Sequence, residues 1–180
     1  YWNNKMLSHW NKLFNTDCEV YKVGERYVYP IFRNGSSSLE KVCEKIIANE
    51  QLNECKNIHV LIRDPAERFE SGINEYCKRI HDLDIKETLQ KVTEGTLIDR
   101  HFSPQWTWLL HLYKFYKGNV TLRPFDDIGD YCDVHVNKFK DKTKVAAPKQ
   151  FIEIDNRLTR YFDKTIELEE LVKEFRNVLP

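Results

Sequence analysis

An excess of charge is what this chain most plainly lacks. Its 28 lysines and arginines are matched by 28 aspartates and glutamates. No global field draws it to nucleic acid or to an anionic membrane, so any anion site must be local. No apolar run reaches the length that spans a bilayer, and there is no internal repeat or low-complexity tract. No signal-peptide pattern is visible, and an opening on Tyr1 is read as a trimmed or cropped start. Glycine is scarce, with 6 residues, whereas aromatics make up 13% of the chain. At 180 residues this composition suits one domain, spanning 1–180, with a single packed core.

The five cysteines, Cys18, Cys43, Cys55, Cys77 and Cys132, are odd in number and widely spaced. No C-x-x-C occurs, so neither a zinc site nor a redox pair is indicated, and no metal is expected. Cys43 and Cys77 fall on apolar helical faces and are expected to be buried thiols. This usage favours a reducing, cytoplasmic setting. The glycosylation acceptor patterns Asn34-Gly35-Ser36 and Asn119-Val120-Thr121 do not change that reading, because a glycan on Asn34 would block the loop considered next. Also missing is the nucleotide-binding pattern G-x-x-x-x-G-K-[ST].

What is present is Pro30-Ile31-Phe32-Arg33-Asn34-Gly35-Ser36-Ser37-Ser38-Leu39. The aromatic and β-branched run Arg26-Tyr27-Val28-Tyr29 before it reads as a strand. Leu39, Val42, Cys43, Ile46 and Ile47 after it recur at helical spacing. A strand, a small hydroxyl-rich turn and a helix start make an anion site from free backbone N–H groups, serine hydroxyls and the Arg33 charge, while Gly35 allows close approach. The competing reading is an ordinary Gly-Ser turn with a serine cap.

The second informative stretch is Arg63-Asp64-Pro65-Ala66-Glu67-Arg68-Phe69-Glu70-Ser71-Gly72. It follows Ile58-His59-Val60-Leu61-Ile62, read as a buried parallel strand. Asp64 is a good N-cap and Pro65 a good first helical residue. The helix should carry Phe69, Ile73, Tyr76 and Ile80 on one side, with Ser71 about two turns in. Arg63 would stand at the carboxyl end of the strand, where open α/β sheets bind ligands. The bland alternative pairs Arg63 with Asp64 or Glu67.

Further on, Asp99-Arg100-His101-Phe102-Ser103-Pro104-Gln105-Trp106 places a histidine in a loop, near an aspartate. Ser103 and Pro104 are expected to cap and open a helix that runs toward Gly118. Asn119-Val120-Thr121-Leu122-Arg123 reads as a third strand. Residues 135–144 are basic, and the tail from Glu153 to Val178 is expected to be mostly helix, with Phe162, Ile166, Leu171 and Phe175 on its buried side. Near the start, residues 2–14 read as a packing helix.

Together these stretches resemble the sulfotransferases. Arg33-Asn34-Gly35-Ser36-Ser37-Ser38-Leu39 is similar to their 5′-phosphosulfate loop, P-K-x-G-T-T-S-L, with Pro30 displaced and arginine at the lysine position. Arg63-Asp64-Pro65 through Ser71 matches their 3′-phosphate motif, R-[DN]-P-x-x-R-x-x-S. Asp99 through Gln105 resembles the D-x-H-[WF]-x-P-Q element of the carbohydrate type, Pro124-Phe125-Asp126-Asp127-Ile128 their R-F-E-D-L turn, and His135-Val136-Asn137-Lys138 a basic loop that folds over the cofactor. The resemblance covers roughly residues 27–138.

It implies an α/β fold with a small parallel β-sheet flanked by helices, of the P-loop-like sulfotransferase kind. The cofactor implied is 3′-phosphoadenosine 5′-phosphosulfate. Arg33, Asn34, Gly35, Ser36, Ser37 and Ser38 would hold its 5′ end, Arg63 and Ser71 the 3′-phosphate, and Lys138 the covering loop. The acceptor would be a small molecule or a carbohydrate. Sulfuryl transfer is an in-line displacement that needs a base for the acceptor's proton. His101 is favoured over Glu44, Glu50 and Glu54, and His59 should lie at the far edge of the sheet. Arg33 would stabilise the leaving phosphate. Only a short helix is expected between the two phosphate motifs. The rival readings are a nucleoside-triphosphate-dependent phosphotransferase and an inactive nucleotide-binding protein of the same fold.

Overall fold

The computed structural model describes residues 4–134 and 142–178. Helix α1 (Asn4–Leu13) leads into a hairpin of β1 (Glu19–Val23) and β2 (Arg26–Tyr29). Val23 pairs with Arg26, so the connection is only two residues long, and Gly24 supplies the positive φ of 59° that such a turn demands. Then follow α2 (Ser36–Val42), β3 (Lys45–Ala48), β4 (Asn57–Ile62), α3 (Pro65–Asn74), α4 (Ile85–Glu94), α5 (Gln105–Tyr113), β5 (Asn119–Pro124), α6 (Lys149–Asn156), β6 (Thr165–Glu167) and α7 (Leu168–Val178).

These strands form one six-stranded sheet in the order β3-β1-β2-β4-β5-β6. The three strands expected from the sequence lie side by side at its centre and run parallel, with Val28 beside His59 and His59 beside Thr121. The sheet as a whole is mixed, which corrects the expectation of a small parallel one. β1 pairs antiparallel with both β2 and β3 on one side, and β6 pairs antiparallel with β5 on the other. Of these antiparallel pairs only β1 and β2 are joined by a short hairpin; β3 and β6 reach their partners after intervening elements.

Two of the added strands replace predicted helix. The helix expected to run through Ile47 stops at Val42, and Ile46 and Ile47 lie on β3. Ile47 is buried opposite Val20 while Ile46 is half exposed, the alternation of a strand at the edge of a sheet. Cys43, expected to be a buried helical thiol, is the extended residue that ends α2 and is only partly buried. In the tail, Ile166 sits on β6 rather than on a helix. Cys77 is buried as expected, and all five cysteines are free.

The core has two parts, one on each face of the sheet. Along β4, Ile58, Val60 and Ile62 enter the larger cluster with Trp10, Phe69, Trp106 and Phe175, whereas Leu61 enters a smaller one with Val28, Leu39 and Ile128. This period-2 split explains a nearly continuous apolar strand sequence. Among the described residues no helix is long and apolar enough to cross a membrane.

Candidate anion site

β2 and β4 are parallel neighbours, so the segments leaving their carboxyl ends emerge side by side. This brings Arg33 and Ser71 together although 38 residues separate them: the Arg33 Nε–H donates to Ser71 Oγ at 2.9 Å. Arg63 joins them by donating from Nη1 to the Arg33 carbonyl at 2.9 Å. The Ser71 hydroxyl and the Arg33 carbonyl thus accept from the two guanidiniums, and each guanidinium also faces a carboxylate. Glu75 Oε2 lies 3.5 Å from Arg33 Nη1, and the more exposed Glu67 lies 3.9 Å from Arg63 Nε. Burial lowers the pKa of both guanidiniums, opposed by Glu75 and Glu67 respectively, yet arginine stays charged at neutral pH. The Arg63 guanidinium also lies over the Phe125 ring, 5.0 Å from its centre.

The turn that carries Arg33 is left-handed at two places: φ is 70° at Arg33 and 83° at Gly35. Gly35 suits this left-handed backbone, and a Cβ there would require the terminal methyl of Ile128 to move. Ser36, Ser37 and Ser38 are not loop residues, as the sequence suggested, but the first turn of α2. Ser37 is exposed, Ser36 half-buried and Ser38 buried. With α2 only 7 residues long, the two arginines contribute more positive charge here than its dipole does.

Asn34 is buried, and its Nδ2 donates to the Leu61 carbonyl at 2.9 Å and to Gln105 Oε1 at 2.6 Å. That nitrogen is the one a glycan would take, so the folded chain cannot carry one there. The Arg63 segment has its own local support. Asp64 accepts from the Glu67 N–H at 3.0 Å and Pro65 opens α3, as the sequence indicated. Beyond Asn74 the helix widens into a π-helical stretch, Glu75–Ile80, which begins at the carboxylate facing Arg33.

His101 reaches the same edge by packing. Its ring lies against Phe32, 5.0 Å between centres, and a side chain at Gly72 would strike the His101 carbonyl. It is therefore in contact with the immediate neighbours of both Arg33 and Ser71. Asp99 Oδ1 accepts from the His101 backbone at 2.9 Å and faces Nδ1 at 2.6 Å, which fixes the ring and leaves Nε2 as its other nitrogen. Burial pushes the Asp99 pKa upward, but the hydrogen bonds from His101 and the nearness of His101 and His81 outweigh it, so the net direction is down.

The glutamates stand elsewhere. Glu44 precedes β3, and its N–H donates to the carbonyl of Lys22 on β1, two strands away from β4. Glu50 and Glu54 belong to the turn Asn49–Glu54, which Asn53 ties to Phe115 and Lys117 ahead of β5, toward the amino ends of the parallel strands. A strand, β3, thus intervenes between the Arg33 and Arg63 segments, where the sequence suggested only a short helix. His59 lies inside β4 with its Nδ1 2.8 Å from the Tyr131 hydroxyl, and burial lowers its pKa. Lys138 lies outside the described residues. Thr143 is tied to α3: Asn74 accepts from the Thr143 N–H and donates to the Thr143 carbonyl, both at 2.9 Å.

Three residues that the sequence reading left without a role organise this edge. Arg68, fully buried, donates to the Phe32 carbonyl at 3.0 Å, to the Arg100 carbonyl at 3.1 Å and to the Ser103 carbonyl, so it ties the Arg33 turn to the His101 loop. Burial lowers its pKa to about 10. Gln105 and Asp155 form the other support. Asp155 accepts from the N–H groups of Gln105 at 2.8 Å and Trp106 at 3.2 Å, and so caps α5 from a distant helix. Ser103 was the expected cap, but α5 starts one residue later than the sequence suggested and Pro104 takes the cap position. A sequence signal for Asp155 existed: it occupies an apolar-face position in the spacing Phe151, Ile154, Asp155, Leu158, all buried.

No family model, curated protein or solved structure matches this chain.

Proposed function

We propose that this chain is a sulfotransferase that moves a sulfuryl group from 3′-phosphoadenosine 5′-phosphosulfate to an acceptor hydroxyl of a small molecule or carbohydrate, on a P-loop-like fold. The observation that carries the reading is the meeting of Arg33, Arg63 and Ser71 at the carboxyl ends of two parallel strands, with His101 packed beside them. Two cations and a hydroxyl in a partly buried edge suit a ligand with two phosphate groups. In this reading Arg63 and Ser71 take the 3′-phosphate. Arg33 and the turn from Asn34 to Ser38 take the 5′ end, where Arg33 stabilises charge on the departing phosphate oxygens. The ligand's oxygens replace the Ser71 hydroxyl and the Glu75 carboxylate as acceptors for Arg33. His101, oriented by Asp99, accepts the acceptor's proton at Nε2 as the hydroxyl oxygen attacks sulfur and the bond from sulfur to the 5′-phosphate oxygen breaks.

Calorimetric titration with adenosine 3′,5′-bisphosphate, adenosine 5′-phosphosulfate and ATP tests the reading. The bisphosphate should bind best, and Arg63→Ala should weaken it by about 1.5–3 kcal/mol while changing adenosine 5′-phosphosulfate much less. Equal losses for both ligands would remove Arg63 from the 3′-phosphate contact, and a preference for ATP would favour phosphotransfer. With a radiolabelled sulfate donor and an acceptor panel, His101→Ala should lower turnover by about 10²–10⁴ without loss of cofactor affinity.

A further inference from the structure

The side-chain amide of Gln105 uses all of its hydrogen-bonding capacity at one point. Its Oε1 accepts from the Arg63 N–H at 2.9 Å and from Asn34 Nδ2 at 2.6 Å, while its Nε2 donates to the Arg63 carbonyl at 2.9 Å and to Asp155 Oδ2 at 3.3 Å. An amide offers two donor hydrogens and two acceptor lone pairs, so nothing is left over. The orientation of the amide is fixed by its partners, because the Arg63 N–H needs an oxygen and Asp155 needs a donor. Gln105 and Asp155 are both buried. The two segments that Gln105 grips are the ones that carry the candidate phosphate contacts: Arg63 itself, and Asn34, the residue next to Arg33.

We propose that Gln105 and Asp155 are positioning residues, with Asp155 on α6 orienting the Gln105 amide so that it holds the Arg33 turn and the end of β4 in one fixed register. Both side chains are buried beneath the edge. Their effect passes through the backbone of Arg63 and the side chain of Asn34, so α6, far along the chain, helps to set the spacing between the two cations. The anion-binding role of that edge rests on the function proposed above; the mechanical link between Asp155 and the two turns does not.

The experiment therefore has two arms. Amide hydrogen exchange is measured on the full chain for wild type, Gln105→Met, Asp155→Asn and, as a control, Val20→Ala on β1, which removes buried volume away from this edge. Gln105→Met keeps an unbranched side chain of similar length, so one informative variant remains if Asp155→Asn does not fold. Each lost hydrogen bond is worth roughly a factor of five in a local opening equilibrium, and the Gln105 and Asp155 variants each lose more than one. Exchange should therefore accelerate about tenfold or more in residues 32–36 and 62–64 of the Gln105 and Asp155 variants, relative to β1 and β3. In Val20→Ala it should not accelerate selectively there. Uniform acceleration across the sheet, or none in these two segments, would overturn the proposal. The second arm titrates adenosine 3′,5′-bisphosphate at a temperature where every variant is folded. Weaker binding in Gln105→Met but not in Val20→Ala is expected. Selective exchange with unchanged affinity would overturn the link to binding. If wild type binds no bisphosphate, the functional reading fails and the exchange arm alone decides the positioning role.

Discussion

The turns that lead into α2 and α3 stand side by side at the same edge of the sheet and are built in opposite ways. The turn before α3 has its own local cap, although Gln105 also bonds the Arg63 N–H and carbonyl from 42 residues away. Asp64 caps the helix that Pro65 opens, and the cap's partner is only three residues away, at Glu67. The turn before α2 is made by distant residues. Gly35 occupies the cap position without a side-chain cap, Arg33 adopts a left-handed backbone, and the turn is held by Asn34 to Leu61 and Gln105 and by Arg68 to Phe32. A turn of the first kind has a capping bond that its own few residues supply. One of the second kind exists only when the rest of the fold is in place, and its backbone strain is carried by those outside contacts.

Substitutions in each turn test this difference. The largest effect is expected from Asn34→Ala, which removes both outward hydrogen bonds and leaves the buried Leu61 carbonyl without that donor. Urea unfolding should show a loss of about 2–3 kcal/mol; a loss below the cost of a single exposed contact would mean that the turn stands by itself. Next, Arg33→Gly and Arg33→Ala both remove the guanidinium, and they differ in what the left-handed backbone costs. The glycine variant should be more stable than the alanine variant by about 1 kcal/mol, and equal stabilities would show that no strain is stored there. Asp64→Ala should cost about 0.5–1 kcal/mol, the value of an exposed cap, because the helix that follows is buried against the core in any case.

The last test is a slope with pH. Burial raises the Asp155 pKa from 3.8 to about 6, against the hydrogen bonds from Gln105 and Trp106 and the attraction of Arg68. The native state then holds this proton more tightly than the unfolded chain does. The group's stabilisation is complete below about pH 4 and is lost as the pH rises through about 6. Unfolding free energies of Asp155→Asn and wild type should therefore change relative to each other across that window, with wild type losing stability relative to the variant as the pH rises. A constant difference would place the Asp155 pKa at its ordinary value.

Much of the architecture was legible because it depends on short-range patterns. The three central strands were marked by β-branched and aromatic runs, and the start of α3 by Asp64-Pro65. The errors share one cause. Leu39 through Ile47 has helical spacing, yet Ile46 and Ile47 pair with β1, a partner that lies earlier in the chain and is invisible to a local pattern. Ile166 was drawn into a helical stripe for the same reason, although its partner is Val120 on β5. Ser103 looked like a cap for α5, but a carboxylate 50 residues beyond Gln105 supplies the bonds.

Residue types and short spacings set the chemistry available: two arginines and a serine in recognisable spacings, a histidine two residues after an aspartate, and the strand-then-helix units that carry them. Those features are fixed by residue type and by separations of a few positions, which local propensity can read. The assembled sheet added that Arg33 bonds to Ser71, that Glu75 faces its guanidinium, and that Gln105 bonds both turns. The physical reason is that these contacts arise where parallel strands bring distant segments to one edge, and burial there makes each unpaired polar group costly enough to demand a partner from whatever packs against it.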